Sequence, residues 1–217
     1  MSFTSEIRSA FNNLVLELKL RLGVERIRML DVPCGDMMWM PEFLKDREDV
    51  EYTGIDIVPE LIERHRKDFA DKPWTFYHQD IIKDGLKEKY HLINIRHMLQ
   101  HLKTSDVLVF LAQISSSGGN FLFTSSFHVT SQNTDVGDEL NRFRTLNLEA
   151  PPVALAAPLC YIRDGSPEDY KTHNTSMMMW KLPLRQVVGC NATRPMKVSA
   201  DRCVGVDDYY SCGNWSV

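Results

Sequence analysis

The chain has 217 residues, enough for one α/β domain with a full core and short for two independent ones. Its 25 basic and 29 acidic residues leave a net charge of −4 with no long basic run, which argues against a nucleic-acid partner. No apolar stretch nears the ~20 residues of a membrane span, and the first residues lack the charged-then-apolar order of a secretory signal. A cytoplasmic protein without a membrane partner is expected.

Cys34, Cys160, Cys190, Cys203 and Cys212 contain no CxxC pair and are odd in number, so neither a zinc site nor a disulfide framework is expected. The last three cluster, leaving room for a single bridge. The sequons at Asn174, Asn191 and Asn214 read as chance in a chain without a signal peptide.

Residues 5–22 place Ile7, Phe11, Leu14, Val15, Leu18 and Leu22 at amphipathic-helix spacing, and Gly23 stops that helix. It is expected to cover one face of a sheet. Residues 27–31 then read as a short buried strand ending at Asp31 and breaking into the turn Pro33-Cys34-Gly35-Asp36, after which helix-compatible residues resume over 37–44. Strand, glycine turn and helix together hold free backbone N–H groups near a ligand, at the carboxyl end of the strand.

Residues 50–57 predict a second strand ending in an acid, Asp56, and Pro59 opens the next helix from its first turn. Residues 74–77 are a third strand, followed by His78-Gln79-Asp80-Ile81, and 90–95 a fourth, followed by a short helical stretch from Arg96 to Leu102. A capped helix over 105–114 and a fifth strand over 120–127 complete the alternation. Five strands alternating with helices predict an α/β fold, a doubly wound, mostly parallel Rossmann-like sheet with helices on both faces.

Residues 128–158 are polar and then proline-rich, too long for a simple connection, and read as a lid or acceptor loop. Residues 159–163 and 177–182 suggest a terminal hairpin-like pair of strands, the methionine run Met177-Met178-Met179-Trp180 alternating like an edge strand. The domain is drawn over 1–190, with a tail at 191–217.

Asp31, Asp56 and Asp80 each end a predicted strand, so in a doubly wound sheet three carboxylates meet one crevice. Asp56 follows Asp36 by the ~20 residues at which an acid meets a ribose hydroxyl pair, a task suited to a bidentate acceptor. A plain dinucleotide-binding reading is weaker, because P-C-G-D lacks GxGxxG spacing.

The ordered series L-D-V-P-C-G-D, Y-T-G-I-D-I, H-Q-D-I and I-N-I-R-H-M-L-Q-H-L resembles class I S-adenosylmethionine-dependent methyltransferases over residues 25–127. With P-C-G-D and the later L-N-L-E-A-P-P, it resembles a subgroup loosely associated with sugar and polysaccharide modification. Pro33 and Cys34 stand where the usual first motif has glycines. The resemblance implies a sheet of about seven strands and S-adenosylmethionine as cofactor, S-adenosylhomocysteine being the product. It implies that Asp31, Pro33, Cys34, Gly35 and Asp36 border the amino-acid part, Asp56 the ribose and Ile57 the adenine. By the same carry-over, Asp80 and Ile81 meet the adenine amino edge, and Arg96 and His97 border the methyl group. Trp39, just after the turn, is read as a cover for the cofactor, with core packing about as good an account.

Methyl transfer to a hydroxyl needs a base, since a protonated oxygen is a poor nucleophile, and histidine suits that task near neutral pH. His97 and His101, four apart on the expected short helix, and His128, ending the fifth strand, are the candidate catalytic residues. Packing is the blander account of each, strongest for His101. Asp138 and Glu149 in the lid are candidate acids for orienting a hydroxyl or holding a divalent ion, although solvated acids are commoner, and no metal is assigned. Arg142 and Arg144 are read as surface residues rather than anion grips. The function expected is methylation of a hydroxyl on a small molecule or glycan. The alternatives are N-methylation of a protein or small amine, and a cofactor-binding partner subunit without catalysis.

Overall fold

The computed structural model describes residues 5–128, 130–137, 142–164 and 175–186. Helix α1 (Ser5–Leu22) leads into β1 (Ile27–Asp31) through Gly23, whose φ of 64° ends the helix in the left-handed region. Then follow α2 (Met40–Leu44), β2 (Val50–Asp56), α3 (Pro59–Asp68), β3 (Thr75–His78), α4 (Ile81–Asp84) and β4 (Leu92–Ile95). A 3-10 turn at Leu99–His101 precedes α5 (Thr104–Ser116), β5 (Phe121–Phe127), β6 (Cys160–Arg163) and β7 (Thr175–Lys181).

The seven strands form one sheet in the order β3-β2-β1-β4-β5-β7-β6. The first five are parallel, and β7 runs antiparallel to both β5 and β6. Two reversals cancel, so β6 points the same way as β5. Its carboxyl end therefore shares an edge with the ends of β1, β2 and β4, flanking the crevice where strand order reverses between β1 and β4.

Alternation along each strand divides the core between the two faces. Ile27 and Met29 join Phe11, Leu14 and Leu18 of α1, Phe43 of α2 and Ile62 of α3 on one side. Leu30 and Val32 join Ile81 of α4 and Val107, Phe110 and Ile114 of α5 on the other. Phe11 is fully buried, its ring 5.2 to 5.3 Å from those of Phe123, Phe43 and Trp39. This is how α1 comes to cover its face.

The helix expected over 37–44 begins only at Met40, since Met37 adopts a φ of 59°. The expected helix carrying both His97 and His101 is corrected: His97 has a φ of 54° and precedes the 3-10 turn, so the two histidines share no helical face. The methionine run is also corrected. Strand β7 lies between β5 and β6, with Met177 and Met179 packed on one face and Met178 and Trp180 on the other.

Within the expected lid, Leu146, Leu148, Val153 and Leu155 are core residues. Arg144 is neither surface nor grip: it is 7% exposed and donates to Thr104 Oγ1 and to the carbonyls of Leu102 and Thr134. Cys160 is disulfide-bonded, against the expectation from cysteine number. Cys190, Cys203, Cys212, Asp138, the three sequon asparagines and the tail lie outside the described residues.

Candidate functional site: the crevice at the carboxyl edge of the sheet

The first turn is fixed by its neighbours. Cys34 N donates to Ile55 O at 2.9 Å, and Gly35 N donates to Asp56 Oδ2 at 3.0 Å. From α3, the buried His65 bonds through Nε2 to Gly35 O at 2.6 Å. Gly35 has a φ of 58°, and no heavy atom stands within 4 Å of where a β-carbon would sit, so the turn is open toward a ligand. Cys34 packs beneath it; burial, reinforced by Asp31 and Asp56, pushes its thiol far up and makes it inert. Pro33 is half-buried, and Asp36 is exposed with its Oδ1 accepting from Met38 N.

Asp31 is 4% exposed and accepts from Tyr52 Oη at 3.0 Å and Asn94 Nδ2 at 2.7 Å. Burial pushes its pKa up to about 7 against those two bonds and the charge of Arg96. Beside it, Asn94 Oδ1 is buried without a partner among the described residues. An ammonium group satisfies both acceptors, so the pair fits the amino-acid end of the implied cofactor. Asp56 also accepts from Val58 N at 3.0 Å; each of its oxygens keeps a lone pair for a ribose hydroxyl. Ile57 is 59% exposed beside it, apolar surface of the kind an adenine ring covers.

Asp80 caps α4, its Oδ1 accepting from Ile82 N and Lys83 N, and it pairs with Lys83 Nζ at 3.1 Å. Ile81 is buried behind it. Trp39 packs between Phe11 and Arg96, whose guanidinium lies 5.7 Å from the ring centroid.

The other half of the crevice is a charged cluster. Arg96 donates two bonds to Asp164, Nε to Oδ2 at 2.9 Å and Nη2 to Oδ1 at 2.8 Å. His97 Nε2 meets the same Oδ2 at 3.0 Å, while its Nδ1 faces Gln100 Nε2 at 3.3 Å. Asp164 resists the cost of burial through His97 and Arg96, which hold its pKa down at about 2.

His101 is exposed, and its Nδ1 bonds to Arg142 O. His128 and Glu149 stand 3.9 Å apart, Nδ1 to Oε2. His128 Nε2 is buried without a partner among the described residues. Burial pushes the histidine pKa down and the glutamate pKa up.

Asp31, Asp56 and the turn come together at one edge, whereas Asp80 lies two residues beyond the end of β3 with its carboxylate committed to the start of α4. Tyr52, Asn94 and Gln100 lie inside the quoted motifs but received no role from them, and His65 and Asp164 lie outside every motif. Asn94 leaves the clearest trace, as a polar residue inside an otherwise apolar strand, I-N-I. No group of three or more His, Cys, Asp or Glu side chains placed to hold a metal occurs among the described residues.

A methyltransferase-domain family model matches residues 5–152. A malonyl-[acyl-carrier protein] O-methyltransferase of Acetivibrio thermocellus is 28% identical over 121 residues, 49% of this chain, which thus spans 42% of that relative's length. Among solved structures, the 1,6-didemethyltoxoflavin-N1-methyltransferase of Burkholderia thailandensis was solved with its substrate and S-adenosylhomocysteine. It has a TM-score of 0.57 at 16% identity, covering 82% of this chain and 80% of its own. The N-methyltransferase NodS of Bradyrhizobium japonicum, in complex with S-adenosylhomocysteine, has a TM-score of 0.55 at 13% identity, covering 83% and 88%. These likenesses show the fold, and the domain match covers most of the chain. The chain belongs to the methyltransferase-domain family, whose methyl donor is S-adenosylmethionine.

Proposed function

We propose that the chain transfers a methyl group from S-adenosylmethionine to a hydroxyl of a small molecule or glycan, a sugar being favoured. The carrying observation is the pairing of His128 with Glu149 at the end of β5, acid–base groups that a hydroxyl acceptor requires. When bound, the cofactor supplies an activated methyl group on a sulfonium. The chain supplies alignment and a place for the proton.

In this reading Asp31 and Asn94 hold the ammonium of the cofactor and Asp56 its ribose. The turn from Pro33 to Asp36 cradles the amino-acid portion, and Ile57, Asp80 and Ile81 frame the adenine. Arg96 is committed to Asp164 and acts as a wall beside the methyl position rather than as an anion receptor.

The test is incubation with methyl-labelled S-adenosylmethionine and a panel of methyl glycosides, simple alcohols and primary amines. Label on the glycosides or alcohols is expected. Label on the amines alone replaces this reading with N-methylation. Tight S-adenosylhomocysteine binding with no transfer to any acceptor favours a non-catalytic partner subunit.

A further inference from the structure

The crevice holds more than one histidine able to accept a proton, and their surroundings separate them. His97 is occupied on both ring nitrogens, by Asp164 and Gln100. A base with no free lone pair takes no proton from an acceptor. His101 has its Nδ1 bonded to the carbonyl of Arg142, and its ring lies 5.8 Å from that of Phe143, tying the 3-10 turn to the segment after β5.

His128 differs from both. Its Nε2 is out of solvent and accepts from nothing among the described residues. Its Nδ1 faces Glu149, and the ring of Tyr161 from β6 meets it edge-on at 5.5 Å, which fixes the imidazole plane. A buried lone pair without a donor is a standing cost that a ligand hydroxyl removes.

We infer that His128 Nε2 takes the hydroxyl proton of the acceptor and that the Glu149 carboxylate, 3.9 Å from Nδ1 and so short of a direct hydrogen bond, favours the proton on Nδ1 through its charge; this rests on the hydroxyl reading above. The proton leaves the acceptor oxygen for Nε2 as that oxygen gains the methyl group, the methyl–sulfur bond breaking with its electron pair left on sulfur. The resulting imidazolium sits against the Glu149 carboxylate. His128 is then the catalytic residue and Glu149 a positioning residue. His97 belongs to the wall built by Arg96 and Asp164. Among the described residues, the ionisable groups in contact with His128 from the adjoining elements are Glu149 and Tyr161.

The experiment starts from the full chain labelled with ¹⁵N-histidine and saturated with S-adenosylhomocysteine, followed by NMR between pH 5.5 and 8. His128 should be neutral at pH 7, with its proton on Nδ1 and Nε2 bare, and Glu149→Gln should shift that tautomer balance. A proton on Nε2, or a wild-type tautomer unmoved in Glu149→Gln, overturns the inference whether or not an acceptor is known.

With any hydroxyl acceptor that the panel reveals, His128→Gln should lower kcat by about 100-fold or more while S-adenosylhomocysteine affinity stays within about twofold. Glu149→Gln should lower it less and move the pH profile. A His128→Gln enzyme that binds the product normally and turns over at the wild-type rate overturns the inference while leaving hydroxyl methylation standing. A wild-type protein that labels only amines rejects the hydroxyl reading itself, and the tautomer result still decides the state of His128.

Discussion

Asp31 carries a charge conflict that pH exposes. Its folded pKa of about 7 lies above the ordinary 3.8, because burial outweighs two hydrogen bonds. A raised acid contributes stability that is fully present below pH 3.8 and is lost as pH rises through 7, since the unfolded chain gives up its proton first. The shift from 3.8 to about 7 corresponds to about 4 kcal/mol. Asparagine keeps the shape and removes the titration. Urea unfolding of wild type and Asp31→Asn should therefore show the stability difference moving in favour of the variant by about 4 kcal/mol between pH 4 and pH 8. Parallel curves would refute the account. Affinity of the variant for S-adenosylhomocysteine should nonetheless fall, because the proposed acceptor for the ammonium becomes a neutral amide.

At the scale of elements, the clamp from β4 to the end of β6 decides whether the crevice keeps its second half. Arg96 and Asp164 are 68 residues apart, and only the insertion of antiparallel β7 lets β6 bring Asp164 to the edge where Arg96 stands. Asp164→Asn leaves the Arg96 guanidinium and the His97 ring facing an amide. Breaking a buried pair costs ~3–5 kcal/mol; because Arg96 and His97 keep some water, a loss of about 2 kcal/mol is expected from thermal or urea unfolding. The folded pKa of Asp164 is lowered to about 2, so this contribution is present above pH 3.8 and disappears as pH falls toward 2. The wild type and the variant should thus converge in acid.

A second element-level test concerns β2 beneath the turn. A β-carbon at Gly54 would lie 2.9 Å from Phe76 Cδ1 and 3.0 Å from Cys34 Cβ. Gly54→Ala should cost about 1–3 kcal/mol and weaken S-adenosylhomocysteine binding by calorimetry, since relief of the clash moves the Cys34-Gly35 turn. Unchanged affinity would show that the turn tolerates a shift from below.

At the scale of the whole molecule, strands that end in an acid were legible because apolar runs fix the strand and the terminal Asp31 and Asp56 mark its exit. The clamp was not, because Asp164 follows a strand whose place in the sheet depends on β7, and no local pattern encodes order within a sheet. The helical placement of His97 was misread for a related reason: Met98 to Leu102 continue a helix-like pattern, while the chain leaves β4 through a single left-handed residue. Cysteine counting failed at Cys160 because parity carries no information about which thiols meet.

The disulfide at Cys160 sets a redox test for the whole molecule, since such bonds persist under oxidising conditions and are rare under reducing ones. Of the described helices, none is long and apolar enough to cross a membrane. Alkylation of the denatured, unreduced protein followed by peptide mass spectrometry should label Cys34, a buried free thiol in the fold, and leave Cys160 unlabelled until reductant is added. Removal of a native bridge costs ~2–5 kcal/mol, so reductant should lower the unfolding midpoint of the wild type and leave Cys160→Ser unmoved. Quantitative labelling of Cys160 without reductant would refute the bond and leave the proposed crevice chemistry untouched, because Cys160 sits in the core on β6 while the candidate site residues stand at the strand ends.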